Sequence, residues 1–412
     1  MPHHEGTAEM NWKIKISVRS LIMFFVFLNP VLALFFDKVA TYRYILEPVV
    51  TLLLVLESTK SKKRFYKNII IIFFTGLSVL YAVAIGADKA KLYLHLFCYL
   101  NAIFFFYFII DRANQKYVLG LCRSKVGYLK ALAVFISIIE VYMMVTGRGY
   151  TSRFKWGGTF FQGTSSMPHT MSYLMLVVIA IDIIIVMTGN KKIWALVSVV
   201  PFLAIFQSGA RISIVLGALL LMIIIDQVLT SKQKSVFFKV MAVVIVVGIG
   251  LFIFRDRIFN SSLWAKITIR SGGSYELTAG RTIVWADMID KYLHNSNVIE
   301  YLIGRGDDKT YYYNSINPLV RNPIWAHSDY LQILVGKGAA GLWFYSRATF
   351  VFFRTIVKQN KNVYKWMIIL LILIAGVLNG FYSYRDTTMA IPLFAVIGLY
   401  YGEEKVQDGT RV

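Results

Sequence analysis

Arg255–Ser328, RDRIFNSSLWAKITIRSGGSYELTAGRTIVWADMIDKYLHNSNVIEYLIGRGDDKTYYYNSINPLVRNPIWAHS, is the stretch whose reading decides the fold. It runs for about 74 residues with no apolar segment long enough to cross a bilayer, between two runs that are. A long connection between helices is where binding and catalytic groups concentrate. It continues into His327-Ser328-Asp329-Tyr330-Leu331-Gln332, so a histidine stands where the loop re-enters a helix.

Outward from this loop the chain is apolar: 57% of residues are hydrophobic and 16% charged. Apolar runs of about 16–20 residues recur from end to end. They predict an all-α integral membrane protein, a single polytopic domain over residues 1–412 with about twelve spans. The spans fall at 19–36, 43–57, 68–86, 92–110, 126–146, 170–188, 193–207, 212–229, 238–254, 330–353, 366–383 and 387–402. The first run, Leu21–Phe36, has no small-residue cleavage site and is followed at once by further spans, so no cleavable leader is expected. Cys98 and Cys122 make neither a disulfide framework nor a metal motif.

The formal charge of +22 invites a nucleic-acid reading, but its cations sit in alternate short loops. Lys60, Lys62, Lys63, Arg64 and Lys67 fill one, Arg112, Lys116, Arg123 and Lys125 the next, and Arg354, Lys358, Lys361 and Lys365 a later one. Positive charge in alternate loops orients a membrane protein, so no nucleic-acid partner is expected. Both termini then face the cytoplasm. The loop 255–328, between spans nine and ten, and a second polar stretch, Thr146–His169, face the other side. The two halves show no internal repeat, which counts against a transporter of two equivalent halves.

Three helix starts on that outer side carry a cation or a histidine: Ser208-Gly209-Ala210-Arg211, Thr278-Ala279-Gly280-Arg281, and Ala326-His327-Ser328-Asp329. Free N–H groups and the positive dipole end favour anions there, and an arginine adds a planar fork for phosphate oxygens. The bland alternatives are that Arg211 snorkels to headgroups and that Arg281 pairs with Glu276 or Asp287. Nine Lys/Arg against seven Asp/Glu in the loop make bulk steering of an anion weak, so particular arginines must bind it. At a helix N-terminus the His327 ring stays neutral and can take a proton from a hydroxyl; the alternative is an interfacial histidine bonded to the backbone. His169 repeats that situation at the start of span six. Ile283–Leu293 reads as an amphipathic helix with Val284, Met288, Ile289, Tyr292 and Leu293 on one face and Thr278 as its cap. Glu140 and Asp182 lie at membrane depth, where each is expected either to relay protons or, as favoured here, to pair with an Arg or Tyr.

Taken in order, five pieces of the chain resemble the bacterial O-antigen polymerase and O-antigen ligase superfamily. They are Gly158-Thr159-Phe160-Phe161-Gln162 through His169; Ser208–Arg211; Gly280-Arg281 with Trp285; Leu302-Ile303-Gly304-Arg305-Gly306; and His327–Gln332 followed by Gly338, Gly341 and Leu342. The last is the most specific. The resemblance implies a GT-C-like membrane glycosyltransferase of the bacterial cytoplasmic membrane that needs no metal and no cofactor. Its donor and acceptor would be glycans on undecaprenyl pyrophosphate, and its protein partners a chain-length regulator and a flippase. By the same resemblance Arg211 and Arg281 hold the pyrophosphate, and His327 orients or deprotonates the acceptor hydroxyl. Arg153, Arg305, Arg321, Asp329, Tyr330 and Arg385 are further candidates for substrate contact, because they fall on the outer side. The chain departs from the family pattern at Gly336-Lys337, where an acidic residue is often found, and in the Ser-Gly-Ala-Arg spacing before span eight.

The expected activity is polymerisation of lipid-linked repeat units into capsule, exopolysaccharide or O-antigen. Two other readings stay open: a ligase moving finished glycan to a final acceptor, and a transporter or flippase of lipid-linked sugars that uses Glu140 and Asp182. A structural partner that sets chain length is a third.

Overall fold

A computed structural model describes residues 17–36, 40–153, 158–189, 192–229, 281–312, 325–359 and 363–408. The ninth expected span, the loop segment 255–280 with Thr278 and Gly280, and Arg321 lie outside the described residues, as does the side chain of Arg153.

The described chain is built almost wholly from helices. In order they are α1 (Val18–Phe36), α2 (Ala40–Ser58), α3 (Lys62–Ala84), α4 (Lys89–Ile110), α5 (Arg112–Ser124) and α6 (Val126–Val145). A hairpin of β1 (Tyr150–Arg153) and β2 (Gly158–Phe161) follows, then α7 (Pro168–Met187), a 3-10 segment (Lys192–Ser198), α8 (Val199–Gln207) and α9 (Arg211–Leu229). Beyond residue 280 come α10 (Arg281–Asn295), α11 (Val298–Ile303), α12 (Asp307–Tyr312), α13 (Asp329–Gln359), α14 (Tyr364–Leu378), α15 (Arg385–Met389) and α16 (Ile391–Asp408).

Six of these, α1, α3, α4, α6, α7 and α9, are long and apolar enough to cross a bilayer. The chain is a multi-pass membrane protein. Helix α7 is apolar nearly all round and is buried from Met171 to Met187, as a helix at the centre of a bundle must be. Helix α3 instead leaves Ile69, Ile70, Phe73, Leu77 and Leu80 exposed, a surface suited to lipid.

Several elements differ from the sequence expectation. The span expected over 366–383 stops at Leu378, where Asn379-Gly380 turns the chain with Gly380 at φ +97°. The last span is divided into α15 and α16. The basic segment after α4 is itself a helix, α5, capped by Asp111, whose carboxylate accepts Ala113 N–H at 2.8 Å. Loop helix α10 buries Val284, Met288 and Tyr292 but exposes Ile289 and Leu293, so the buried face is one i, i+4 stripe. Helices α11 and α12 stand where irregular chain was expected; Asn297 and Glu300 form a full capping box at the start of α11.

The Gly304-Arg305-Gly306 motif docks backbone to backbone on α13. That helix is broken at Gly338 (φ +67°), which frees carbonyls one turn earlier. Arg305 N–H donates to Val335 O and Gly306 N–H to Gly336 O, both at 3.0 Å. A Cβ on Gly304 would lie 2.3 Å from Lys337 N, and one on Gly338 would lie 2.4 Å from Leu302 C. Glycine at both positions is what lets the loop seat on the helix. Beneath it, Lys337 forms a buried ion pair with Asp307 and lies over the Tyr99 ring.

Glu140 and Asp182 are fully buried, and the favoured pairing with an Arg or Tyr is not found for either among the described residues. Glu140 lies directly beneath Gly163, against the backbone of Thr164.

Candidate functional site

Residues from the three segments picked out in the sequence lie near one another. Arg281 is the first described residue of α10, and the positive charge of Arg211, which opens α9, is felt there. His327 lies within electrostatic reach of Arg281. The His169 ring, from the first turn of α7, is 6.3 Å from the His327 ring, centroid to centroid. Four cationic or potentially cationic groups from separate parts of the chain thus follow one another as neighbours, Arg211 to Arg281 to His327 to His169.

Local structure explains each placement. Before α9, Gly209 takes φ +62° and the Ser208 hydroxyl accepts Ala210 N–H at 3.1 Å, turning the chain sharply into Arg211. A Ser172–Ser213 hydroxyl pair at 2.8 Å ties the first turn of α9 to that of α7, and so to His169. Loop helix α10 is pinned one turn past Arg281, where Trp285 Nε1 donates to Ala326 O at 2.6 Å. His327 has φ +50°, the one positive φ at a non-glycine residue among the described residues. Such a conformation costs on the order of 1–3 kcal/mol and is kept only where its surroundings enforce it.

Part of the enforcement comes from Asp329, whose buried carboxylate accepts four hydrogen bonds. Phe381 N–H donates at 2.6 Å, Tyr382 N–H at 2.9 Å, the Ser383 hydroxyl at 3.1 Å and the Tyr345 hydroxyl at 3.2 Å. The turn 379–384 is thereby clamped next to His327. It delivers Asn379 and Tyr384, two site residues that sequence reasoning missed because the apolar run appeared to continue through them. The Asn379-Gly380 dipeptide was the available signal.

Arg281 spends two donors on this turn: Nη1 donates to Leu378 O and Nη2 to Asn379 Oδ1, the latter at 3.0 Å. Of the two expected alternatives, the pair with Asp287 does not form, since Asp287 pairs with Lys291 at 2.7 Å, and Glu276 lies outside the described residues. Asn379 Nδ2 donates to the Tyr173 hydroxyl at 3.1 Å, and the Tyr173 ring stacks on Tyr384 with centroids 4.1 Å apart. Burial lowers the Arg281 pKa, but a guanidinium stays charged. Burial first, then the Arg281 charge, lowers the His327 pKa to about 3, against the opposing pull of the Asn379 carbonyl. Burial and the neighbouring charge both favour the neutral ring.

The remaining candidates are placed elsewhere. Arg305 faces its own loop, 3.4 Å from Glu300 and donating to Asn295 O at 2.9 Å. Arg385 is buried in a network with Asn29 and Asp386, at 3.0 and 3.4 Å. Tyr330 packs on Tyr345, with centroids 5.9 Å apart. Arg153 lies at the end of β1.

The cluster of Arg211, Arg281, His169 and His327 has the chemistry of a site for a multiply charged anion beside a neutral base. Residues 196–346 match the family model described as O-antigen ligase, and this match spans α8 through the first half of α13, including Arg211, Arg281 and His327. The match supports a relation to the O-antigen ligase/polymerase superfamily, whose members are membrane glycosyltransferase-like enzymes. No curated protein matches the chain.

Proposed function

We propose that this protein is a membrane glycosyltransferase that joins undecaprenyl-pyrophosphate-linked repeat units into a surface polysaccharide. The observation that carries the reading is the Arg281 guanidinium, held by Leu378 O and Asn379 Oδ1, with Arg211 and the His327–His169 pair as its neighbours. In this reading the two guanidiniums hold the donor pyrophosphate and stabilise the charge that develops on it as the glycosidic bond to phosphate breaks. His327, neutral and half-buried, accepts the proton of the attacking acceptor hydroxyl. Arg153 and Arg321 remain candidates for contacts to the glycan, Tyr330 for one beside the site. The bonding of Asp329 and Arg385 supports a scaffolding role for both, in place of direct substrate contact. Loop 255–328 and the helix starts face away from the cytoplasm, with both termini inside.

The description of the matched family favours a second reading, transfer of a finished glycan to a final acceptor. One experiment separates the two. Cells lacking the gene are complemented with wild type or His327→Ala at matched membrane levels, and surface glycan and the lipid-linked pool are run on one gel. A polymerase leaves single repeat units on the lipid carrier in the variant, and a ligase leaves long polymer there. Normal glycan in both pools would remove His327 from the site and bring forward a transporter that works through Glu140 and Asp182.

A further inference from the structure

We infer that Asn379 is the positioning residue of this site: it sets the direction of the Arg281 guanidinium beside His327. The inference rests on the reading above, in which Arg281 holds a lipid-linked pyrophosphate and His327 acts as base.

Asn379 is 2% exposed and joins two elements of the site through the two ends of its amide. Its Oδ1 accepts from Arg281 Nη2 at 3.0 Å. Its Nδ2 donates to the Tyr173 hydroxyl at 3.1 Å on α7. The amide cannot be reversed: a guanidinium only donates, so the oxygen must face Arg281 and the nitrogen must face Tyr173.

Two consequences follow. First, the acceptors that orient Arg281, Leu378 O and Asn379 Oδ1, are both uncharged. They fix the plane of the fork without cancelling its charge, which stays available to an anion. Second, the same amide ties Arg281 to the Tyr173 hydroxyl of α7, the helix that carries His169. One residue thus fixes the leaving-group cation beside the base. It is held in place by the Asp329 clamp on the residues that follow and by its own N–H, which donates to Ala375 O at 2.9 Å. An aspartate of the same shape would fail on both counts. Its carboxylate would cancel the Arg281 charge, and it could not donate to Tyr173.

The test uses the full-length protein in lipid nanodiscs with a pyrophosphate-linked repeat unit as donor. Wild type, Asn379→Asp, Asn379→Ala, Asn379→Ser and His327→Ala are compared, each with its thermal unfolding followed in parallel. Asn379→Asp should raise the donor KM about 10-fold or more, because the charge met by the pyrophosphate is cancelled. It should also give kcat/KM an acid limb absent from wild type: the new carboxylate favours imidazolium, so base is lost as pH falls from 7 to 5. Asn379→Ala should lower kcat without that limb, and Asn379→Ser, which keeps a small donor and acceptor, should recover part of the loss. A folding defect alone changes the active fraction and leaves KM and the shape of the pH profile unmoved. An Asn379→Asp profile parallel to wild type with unchanged KM would overturn the inference, provided wild type turns over and His327→Ala does not. No turnover by wild type, or full activity in His327→Ala, would overturn the underlying reading of the site.

Discussion

Asp329 Oδ2 accepts the backbone N–H of Phe381 at 2.6 Å, joining the first residue of α13 to the turn that closes α14. Through this bond the His327–Asp329 motif and the Asn379 turn, far apart in sequence, form one rigid unit. Replacing Asp329 with Ala removes the acceptor for two backbone donors that are sealed from water. Each buried donor left unsatisfied costs about 1–3 kcal/mol. Asp329→Ala should therefore unfold at lower temperature in detergent and lose most of its transfer activity. Asp329→Asn, which keeps one acceptor, should lie between Ala and wild type in both. Wild-type activity in the Ala variant would show that the turn does not need this clamp.

The pH profile should separate the free protein from its substrate complex. Burial and the Arg281 charge take the His327 pKa down to about 3, so the ring is already neutral at pH 5 and above. A base is lost as pH falls through its pKa, so kcat/KM should carry no His327 limb between pH 5 and 8. Bound pyrophosphate brings negative charge beside the ring and favours imidazolium. The acid limb of kcat should consequently lie at higher pH than any limb of kcat/KM. A kcat/KM limb near the ordinary histidine value would mean that the ring is solvated in the working enzyme.

Arg281→Lys keeps the charge but not the fork. A lysine ammonium is a point charge that cannot bond Leu378 O and Asn379 Oδ1 while presenting a further planar pair of donors. Activity should fall about 10²-fold or more, the scale seen when one oriented donor to a developing charge is lost. Arg211→Lys, measured beside it in the same donor titration, tests whether the two arginines act on one anion: the double variant should lose less than the product of the single losses.

Gly338→Ala probes the seat of the loop. The residue sits at φ +67°, and the new Cβ would meet Leu302 C at 2.4 Å, a backbone atom that cannot swing aside. Strain of about 1–3 kcal/mol from the backbone conformation alone, with the clash added, should lower the melting temperature and loosen residues 302–306 to proteolysis. Gly120→Ala, where nothing lies within 4 Å, is the matched control and should behave as wild type.

Asp182 tests the transporter reading. Its buried carboxyl has no hydrogen-bond partner among the described residues, so Asp182→Asn removes no bond among them. Glycan transfer should be unchanged in the variant. Loss of surface polymer with normal transfer in vitro would show that the carboxyl serves movement of the substrate across the membrane.

Sequence alone determined the helical membrane architecture, because lipid leaves a chain no other way to satisfy its backbone in long apolar runs. It also marked Arg211, Arg281 and His327, since a cation or histidine at a helix start is a local pattern. Where the apolar signal was continuous it misled: the run after residue 366 concealed the break at Asn379-Gly380. Distance in sequence hid the rest. Whether Arg281 would pair with Asp287 or turn to the α14 terminus, and whether Asp329 would meet substrate or clamp Phe381 and Tyr382, depended on which chain ends the bundle brought together. Only tertiary packing decides that. A buried donor or charge must be answered by whatever acceptor the neighbouring helix presents, and that neighbour can lie 50 or more residues away, as Asp329 does from Phe381 (|i−j| = 52).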